Sequence, residues 1–453
     1  MKLLANNYWG ADENTLLTIY RTLIRSKLDY GSIVYSTASK TLLAKLDVIQ
    51  NTAIRLATGA YITSPSESLC REAGELPLKF RRLMLQSTYA ARISADTNNP
   101  TRHQLYRPRY SETYTNQPNL RQPLYHLLNH NLLETNFPKS LPYRNTRSPP
   151  WTMNSPVIDT SLKAFNKDET HCDIIRNHFK DRISHYKKEE IIFTDASKSA
   201  RGTGCAFLTA SSEKRFKLPK DCSIFTAELF AIKKALECIA ELGTSHPIII
   251  TDSHSSLHAI QRTYKDNTIV NDITDLICSI QDNNKSLTLM WIPSHCGIDG
   301  NEMVDAAAKE AIIDGHYTEV LTNYDLSNLC KNKVKDKWKS VWQSKSSKLA
   351  LIDPTIHTKP PITQLRQDLV VLRRLRIGHT RETHQYLLRQ ESPPWCQSCN
   401  SQLTTRHMII ECQLFDAHRK LHNVSTKVEE ALNINSPACL NTISFIKDTK
   451  FII

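Results

Sequence analysis

Apolar positions near the start of the chain follow a helical period. Leu42, Leu46, Ile49, Ala53 and Leu56 stand at i, i+4, i+7, i+11 and i+14, and Gly59 follows where such a helix should stop. An earlier helix is expected over about 12–27, opening at Asp12 or Glu13 and carrying Leu16, Ile19, Tyr20 and Leu23. A third is expected over about 78–95. From residue 190 the period shortens. IIFTDAS, GTGCAFLT, EKRFKLP, HPIIITD and LTLMWIP read as five strands. Phe225, Leu229, Ile232, Leu236 and Ile239 mark an amphipathic helix between the third and fourth. Helices follow at about 254–263, 269–282 and 301–313. The order β-β-β-α-β-α-α-β-α predicts an α/β fold, a mixed five-stranded sheet with flanking helices. After 316 the pattern is helical again, with Leu365, Leu369 and Leu372 on one face.

Between 100 and 150 the pattern lapses. This stretch holds eight Pro, and seven Lys and Arg against two Asp and Glu. It reads as a basic linker, and helical pattern stays weak to about 185. Six segments are therefore expected: a helical segment 1–98, a Pro-rich linker 99–185, an α/β domain 186–316, a basic helical region 317–390, a Cys/His segment 391–425 and a tail 426–453.

With 453 residues, 40% hydrophobic, the chain can bury several cores. No apolar run has the length of a membrane helix, and the start lacks the apolar region of a signal peptide, so an intracellular protein, nuclear or cytoplasmic, is expected. The net charge of +13 suggests a polyanionic partner. It is unevenly spread. Residues 190–315 carry 12 Lys and Arg against 17 Asp and Glu, so an acidic middle lies between basic flanks. Arg366, Arg373, Arg374, Arg376, Arg381 and Arg389 crowd the second flank, where phosphate contact is the functional reading.

Four of the acids stand out. Asp195 and Asp252 end strands, and strand ends in an open sheet form the crevice where ligands bind. Glu228 is spaced with Ile232, Ala235 and Ile239, and Asp305 with Ala308 and Ile312, on or beside faces that must pack. A single acid at a strand end is commonly a turn residue, and a single helical Glu a solvated charge. Four together, with no Lys or Arg beside them in sequence, would repel unless divalent cations neutralise them. Two Mg²⁺ ions, or Mn²⁺, fit that requirement and suit phosphodiester cleavage. His295 lies in the Gly-containing loop before Asp305, where it can move protons or be an ordinary surface residue.

FTDAS, TAELFAI, TDSHSSL and WIPSHCGIDGNEMVDAAAKEA resemble the ribonuclease H domain of non-LTR retrotransposons. The resemblance implies that Asp195, Glu228, Asp252 and Asp305 bind two metal ions, with His295 as the loop histidine. It implies Asp195 bridging both ions, Glu228 and Asp252 near the leaving group and Asp305 beside the attacking water. The substrate implied is the RNA strand of an RNA–DNA hybrid. WGADENTLLTIYRTLIRSKLDYGSIVY, through SPSESLCREAGELPL, resembles the region after the reverse-transcriptase palm in jockey-like elements, and RIGHTRETHQYLL their C-terminal tail. A reverse-transcriptase part of the same element is then an expected partner. The chain has no aromatic-x-Asp-Asp polymerase motif. The stretch 254–286 holds only Arg262, Lys265 and Lys285 as Lys or Arg, against Asp266, Asp272, Asp275 and Asp282, so substrate grip is expected from the basic flanks, on hybrid or single-stranded nucleic acid.

Cys396, Cys399, His407 and Cys412 form C-x2-C-x7-H-x4-C, which reads as a structural Zn²⁺ knuckle or as a loop with reduced thiols. Two other functional readings stay open. A catalytically silent nucleic-acid-binding remnant would keep the flanks without cleavage. Integrases and some resolvases share the sheet and cut DNA.

Overall fold

The strand-period stretches pair into one sheet in the computed structural model of the chain. The structure describes residues 1–106, 109–117, 120–131, 137–144, 156–166, 169–241, 245–262, 267–283, 285–344, 347–355, 361 and 365–451. Lys265 and Asp266 lie outside them. The chain divides into two compact units, one of residues 88–109 and 135–330, the other of 1–87, 110–134 and 331–453.

The first unit holds a sheet of seven strands: β1 (Val157–Asp159), β2 (Ile191–Ser199), β3 (Gly202–Leu208), β4 (Glu213–Leu218), β5 (Ile248–Thr251), β6 (Thr288–Trp291) and β7 (His316–Tyr317). Their spatial order is β1-β6-β5-β2-β3-β4-β7. β2, β3 and β4 form an antiparallel meander, and β5, β6 and β1 add to its β2 edge in parallel. The mixed α/β sheet expected from the sequence is present, but with seven strands rather than five. β1 comes from the segment read as linker and is too short to show a period. β7 is two residues paired with β4.

The linker expectation for 99–185 needs a further correction. The helix Cys172–Ile183 buries Ile175 and Phe179. Residues 137–144 are also tied down, since Leu141 N–H donates to the Leu321 carbonyl and Asn271 Nδ2 donates to the Arg144 carbonyl. Period-two alternation sorts the core. Ile192, Ile249 and Leu289 belong to the cluster with the helices Ile224–Glu241 and Thr268–Asp282. Ile248, Ile250 and Met290 join Leu162, Phe179 and Ile298. Truncating such a residue to Ala costs about 2–5 kcal/mol.

The helix Asp299–Asp314 packs on β2, β3 and β4 through Val304, Ala307 and Ala308. Small residues permit this close approach. A Cβ at Gly204 of β3 would stand 2.5 Å from the Ala308 carbonyl oxygen, so only glycine fits.

In the second unit two of the expected helices are found at Glu13–Asp29 (with a wider π turn over Tyr20–Arg25) and Lys40–Thr58; the third, Leu78–Ala95, has residues 78–87 in this unit and 88–95 in the first. Gly59, at φ 67°, ends the second. Residues 331–453, read as separate regions, share this unit with residues 1–87. Their arginines explain why. Arg373, on the helix Arg366–Ile377, donates to Glu13 at 2.6 Å and to Glu72. Arg376 reaches Glu72 Oε1 at 2.9 Å and Asp353 Oδ2 at 3.0 Å. Burial alone would raise the Glu72 carboxyl, but Arg376 and Arg373 outweigh it and hold it at about 2. Arg366 Nη2 donates to the Leu56 carbonyl at 2.9 Å, and Arg374 Nε to that of Gly59 at 2.7 Å, which satisfies orphan groups at a helix C-terminus. Arg366, Arg373 and Arg376 are buried. They hold the fold together and do not form the phosphate-binding flank that composition suggested. Among the described residues no helix is long and apolar enough to cross a membrane.

Candidate active site and metal-binding clusters

Asp195, expected to end its strand, is instead the fifth of the nine residues of β2, which continues to Ser199 paired with β3; it stands opposite Ala206, at the middle of the sheet. Asp252 directly follows β5, the parallel neighbour of β2. The Trp291 indole donates to the Asp252 carbonyl at 2.9 Å and fixes that turn. Glu228 lies one turn into the helix Ile224–Glu241. One carboxylate oxygen from each of Asp195, Glu228 and Asp252 lies within 4.8 Å of the others.

Two of these acids are buried and Asp252 is half-buried. Asp195 and Glu228 are 5% and 7% exposed. Burial, then the charge of Asp252, pushes the Asp195 carboxyl up to about 7; the Asp305 charge adds to this, and the Ala196 N–H, donating at 2.7 Å, opposes it. Burial and the neighbouring Asp195 raise Glu228 strongly, and the two share a hydrogen bond. Protonated Glu228 can serve Asp195 in that way. Glu228 Oε2 is nevertheless buried with no hydrogen-bond partner. Such an orphan oxygen is costly unless a cation completes it.

The fourth acid is arranged differently. Asp305, on the helix Asp299–Asp314, groups within 4.8 Å with His295 and Glu302 rather than with the other three. Lys309 Nζ stands 2.6 Å from its Oδ2. No Lys or Arg is beside Asp305 in sequence, but Lys309, one helical turn away, supplies it with a cationic neighbour in space. His295 has φ 54° in the loop between β6 and this helix, an unusual backbone for a non-glycine residue.

Three residues escaped the sequence reading. Glu302 shares the His295–Asp305 cluster, and its position three residues before Asp305 in GNEMVD was the available signal. Lys309, at i+4, offered a similar one. Asp325 offered none. Its buried carboxylate accepts from Ser223 N at 3.0 Å and Thr226 Oγ1 at 2.9 Å, at the start of the Glu228 helix. It also accepts from Thr322 N and Oγ1 at 3.0 and 2.8 Å. A negative charge at a helix N-terminus is well placed.

The Cys/His motif closes in space in the other unit. Ligand atoms of Cys396, Cys399, His407 and Cys412 lie within 4.8 Å of one another. Cys396 ends the first strand of a small hairpin, Trp395–Cys396 with Ser401–Gln402, and Cys399 lies in the turn that joins them. A π turn over His407–Glu411 brings Cys412 N–H 2.8 Å from the His407 carbonyl, so that residues five apart meet. Cys412 Sγ lies 3.9 Å from Cys396 Sγ and 3.8 Å from Cys399 Sγ. The edge of a tetrahedron with Zn–S bonds of about 2.3 Å is about 3.8 Å. His407 Nδ1 lies 3.3 Å from Ser401 Oγ, while its Nε2 is buried without a partner. Three sulfurs and one imidazole nitrogen form a donor set that fits Zn²⁺.

Asp195, Glu228, Asp252, His295 and Asp305 all fall within residues 187–313, which match the family model for RNase H and form an RNase H domain within this chain.

Proposed function

We propose that the chain hydrolyses the RNA strand of RNA–DNA hybrids by endonucleolytic cleavage, using two divalent metal ions. The observation that carries this reading is the orphaned Glu228 Oε2 in a cluster of three carboxylates, two of them buried, inside an RNase H domain. The residues fit the metal: hard oxygen donors, Asp195 and Glu228 buried, with too few protein cations to balance them. Asp195 would hold both ions, Glu228 and Asp252 one, and Asp305 the other. Mg²⁺ or Mn²⁺ bound there supplies an activated water and stabilises the leaving oxygen. His295, on its strained loop, would carry protons at the mouth of the site. Strand choice would rest on contacts to 2′-hydroxyl groups, which mark the RNA strand.

The setting is part of the same reading. The likeness of the flanks to jockey-like elements supports a retrotransposon-derived protein acting in the nucleus or cytoplasm beside a reverse-transcriptase part. The Cys396, Cys399, His407 and Cys412 cluster would hold a structural Zn²⁺, all four positions being supplied by protein.

The test is a cleavage assay of the purified full chain on a labelled RNA–DNA hybrid, with duplex RNA and duplex DNA as controls, in Mg²⁺ or in chelator. Metal-dependent loss of the hybrid's RNA strand alone is the expected result. Cutting of duplex DNA would point instead to an integrase-like reaction, and binding without cutting to a silent remnant.

A further inference from the structure

The helix Asn323–Gln343 has an apolar stripe whose position fixes what its other faces show. Leu326, Cys330, Val334, Trp338 and Trp342 recur every fourth residue and are all buried. Trp338 packs against Phe80 at 5.4 Å and Trp342 at 6.0 Å between ring centroids. Between these anchors the sequence is KNKVKDKWK, with lysine at 331, 333, 335, 337 and 339 and Asp336 as its single acid. At about 100° per residue, Lys331, Lys335 and Lys339 form one row along a flank of the stripe, rising about 6 Å from each to the next. Lys335 and Lys339 are exposed and Lys331 partly so. Lys333 and Lys337 lie on the opposite flank. Burial, then the charge of Lys79, disfavours the Lys337 ammonium.

This arrangement works against the helix itself. The pairs 331/335, 333/337 and 335/339 place like charges at i and i+4, which is destabilising. Among the described residues, no carboxylate forms an ion pair with Lys331, Lys333, Lys335 or Lys339. Of the six arginines between 366 and 389, Arg381 and Arg389 are exposed, whereas three others are already engaged. Arg366, Arg373 and Arg376 are buried against carbonyls and carboxylates. In the stretch 254–286, Lys285 is directed at the Ile239 carbonyl. The lysine helix is thus a concentration of exposed, uncompensated cations in a chain whose RNase H domain requires a polyanionic substrate.

We propose that Lys331, Lys335 and Lys339 form a track for the phosphates of a nucleic-acid strand, and that this helix supplies sequence-independent grip on the substrate. The proposal rests on the ribonuclease reading for the identity of the polyanion. A row of point charges at intervals of about 6 Å suits a phosphodiester backbone, and lysine, without arginine's planar fork, suits contacts that carry no sequence information.

The experiment measures binding of a fluorescent RNA–DNA hybrid to the full chain, without divalent metal, across a range of KCl. The triple variant Lys331→Gln, Lys335→Gln, Lys339→Gln is compared with wild type and with Lys40→Gln, Lys45→Gln, which removes exposed charge elsewhere. Circular dichroism confirms folding of each. Each phosphate contact contributes roughly 0.9 to the slope of log K against log salt, so the triple variant should be shallower by roughly 2–3. The control should keep the wild-type slope. The proposal is overturned by an unchanged slope in the triple variant, by an equal loss in the control, or by wild type failing to bind hybrid. Loss of binding to anionic lipid vesicles with hybrid binding intact would overturn it in favour of a membrane surface. Failure of wild type to cleave in Mg²⁺ tests the ribonuclease reading separately, because the salt slope is read without metal.

Discussion

Lys309 holds its ammonium 2.6 Å from Asp305 Oδ2, one helical turn along the same helix. Asp305 therefore has a resident counter-charge at ion-pair distance. A divalent ion arriving at Asp305 must compete with this lysine. Removing the competitor should strengthen metal binding at that half of the site. An exposed ion pair of this kind is worth about 0.2–1 kcal/mol, so Lys309→Gln should tighten the weaker Mg²⁺ binding step by up to roughly fivefold. Isothermal calorimetry on the full chain checks this. Unchanged or weaker binding would show that Lys309 is a bystander.

Asp195 predicts a pH signature. Its folded value of about 7 stands above the ordinary 3.8. A raised carboxyl contributes stability that is fully present below the ordinary value and is lost as pH rises through the folded one. Metal-free protein should thus lose stability from about pH 4 to about pH 7. Mg²⁺ should restore more of it at the upper end, where the ligands bind without first releasing protons. Asp195→Asn should abolish cleavage, keep the fold and flatten this part of the pH dependence. Thermal melts across that range, with Mg²⁺ or chelator, give the answer. Near-normal cleavage by the variant in saturating Mg²⁺ would falsify the active-site assignment.

Asp325 lies beyond the matched residues 187–313 but caps the helix that carries Glu228. Asp325→Ala would leave Ser223 N–H and the Thr226 and Thr322 donors without their buried acceptor, at a cost of about 2–4 kcal/mol. Urea unfolding of the full chain measures this. If Asp325 also positions Glu228, Mg²⁺ affinity should fall at urea concentrations where the variant is still folded. A loss within 0.5 kcal/mol, about the scatter for an ordinary surface change, would contradict the capping role.

The parts legible in the sequence were those with a local signature. An apolar run closing on an acid marks both Asp195 and Asp252, and period alone separates the β2–β4 meander from the Glu228 helix. The Cys/His motif is legible from its spacing. The rest depends on tertiary choices. Val157–Asp159 is too short for a period and becomes a strand only because β6 offers an edge. Arg373 looks like solvated charge in a polar helix, and nothing local shows that Glu13 and Glu72 lie across from it. Asp325 sits 97 residues from Glu228, so capping of its helix cannot be read from spacing.

Glu72 makes the second unit sensitive to acid. Its carboxyl is held at about 2 between Arg373 and Arg376. A depressed carboxyl contributes stability present above its ordinary value, near 4.5, and lost as pH falls through the folded value. This unit should therefore weaken progressively below about pH 4.5. Glu72→Gln leaves two buried guanidinium groups short of charge and should cost about 3–5 kcal/mol. Chemical unfolding of wild type and variant at neutral pH, and of wild type down to about pH 2.5, tests both statements. A variant as stable as wild type would mean that the network is not a source of cohesion between residues 1–87 and 331–453.

The cluster of Cys396, Cys399, His407 and Cys412 puts the proposed zinc site to the test. The His407 contact and the Cys399 backbone N–H lower the Cys396 thiol to about 7, whereas burial pushes Cys412 up to about 11. Thiolates are the metal-binding form, so one of these sulfurs is ready to bind near neutrality and the other must give up a proton as the ion enters. Protein purified without chelator should carry one zinc per chain. It should release that zinc progressively on acidification, with Cys412 resisting deprotonation most. Chelation should expose Cys396, Cys399 and Cys412 to alkylation, and His407→Ala should weaken zinc binding while the thiols remain. Metal analysis combined with mass-spectrometric mapping of alkylated cysteines separates the cases. Zinc-free protein whose three thiols already react at the rate of an exposed cysteine would identify the cluster as a reduced loop. Protection that disappears only on chelation would identify the ion as the element holding the hairpin and the π turn together.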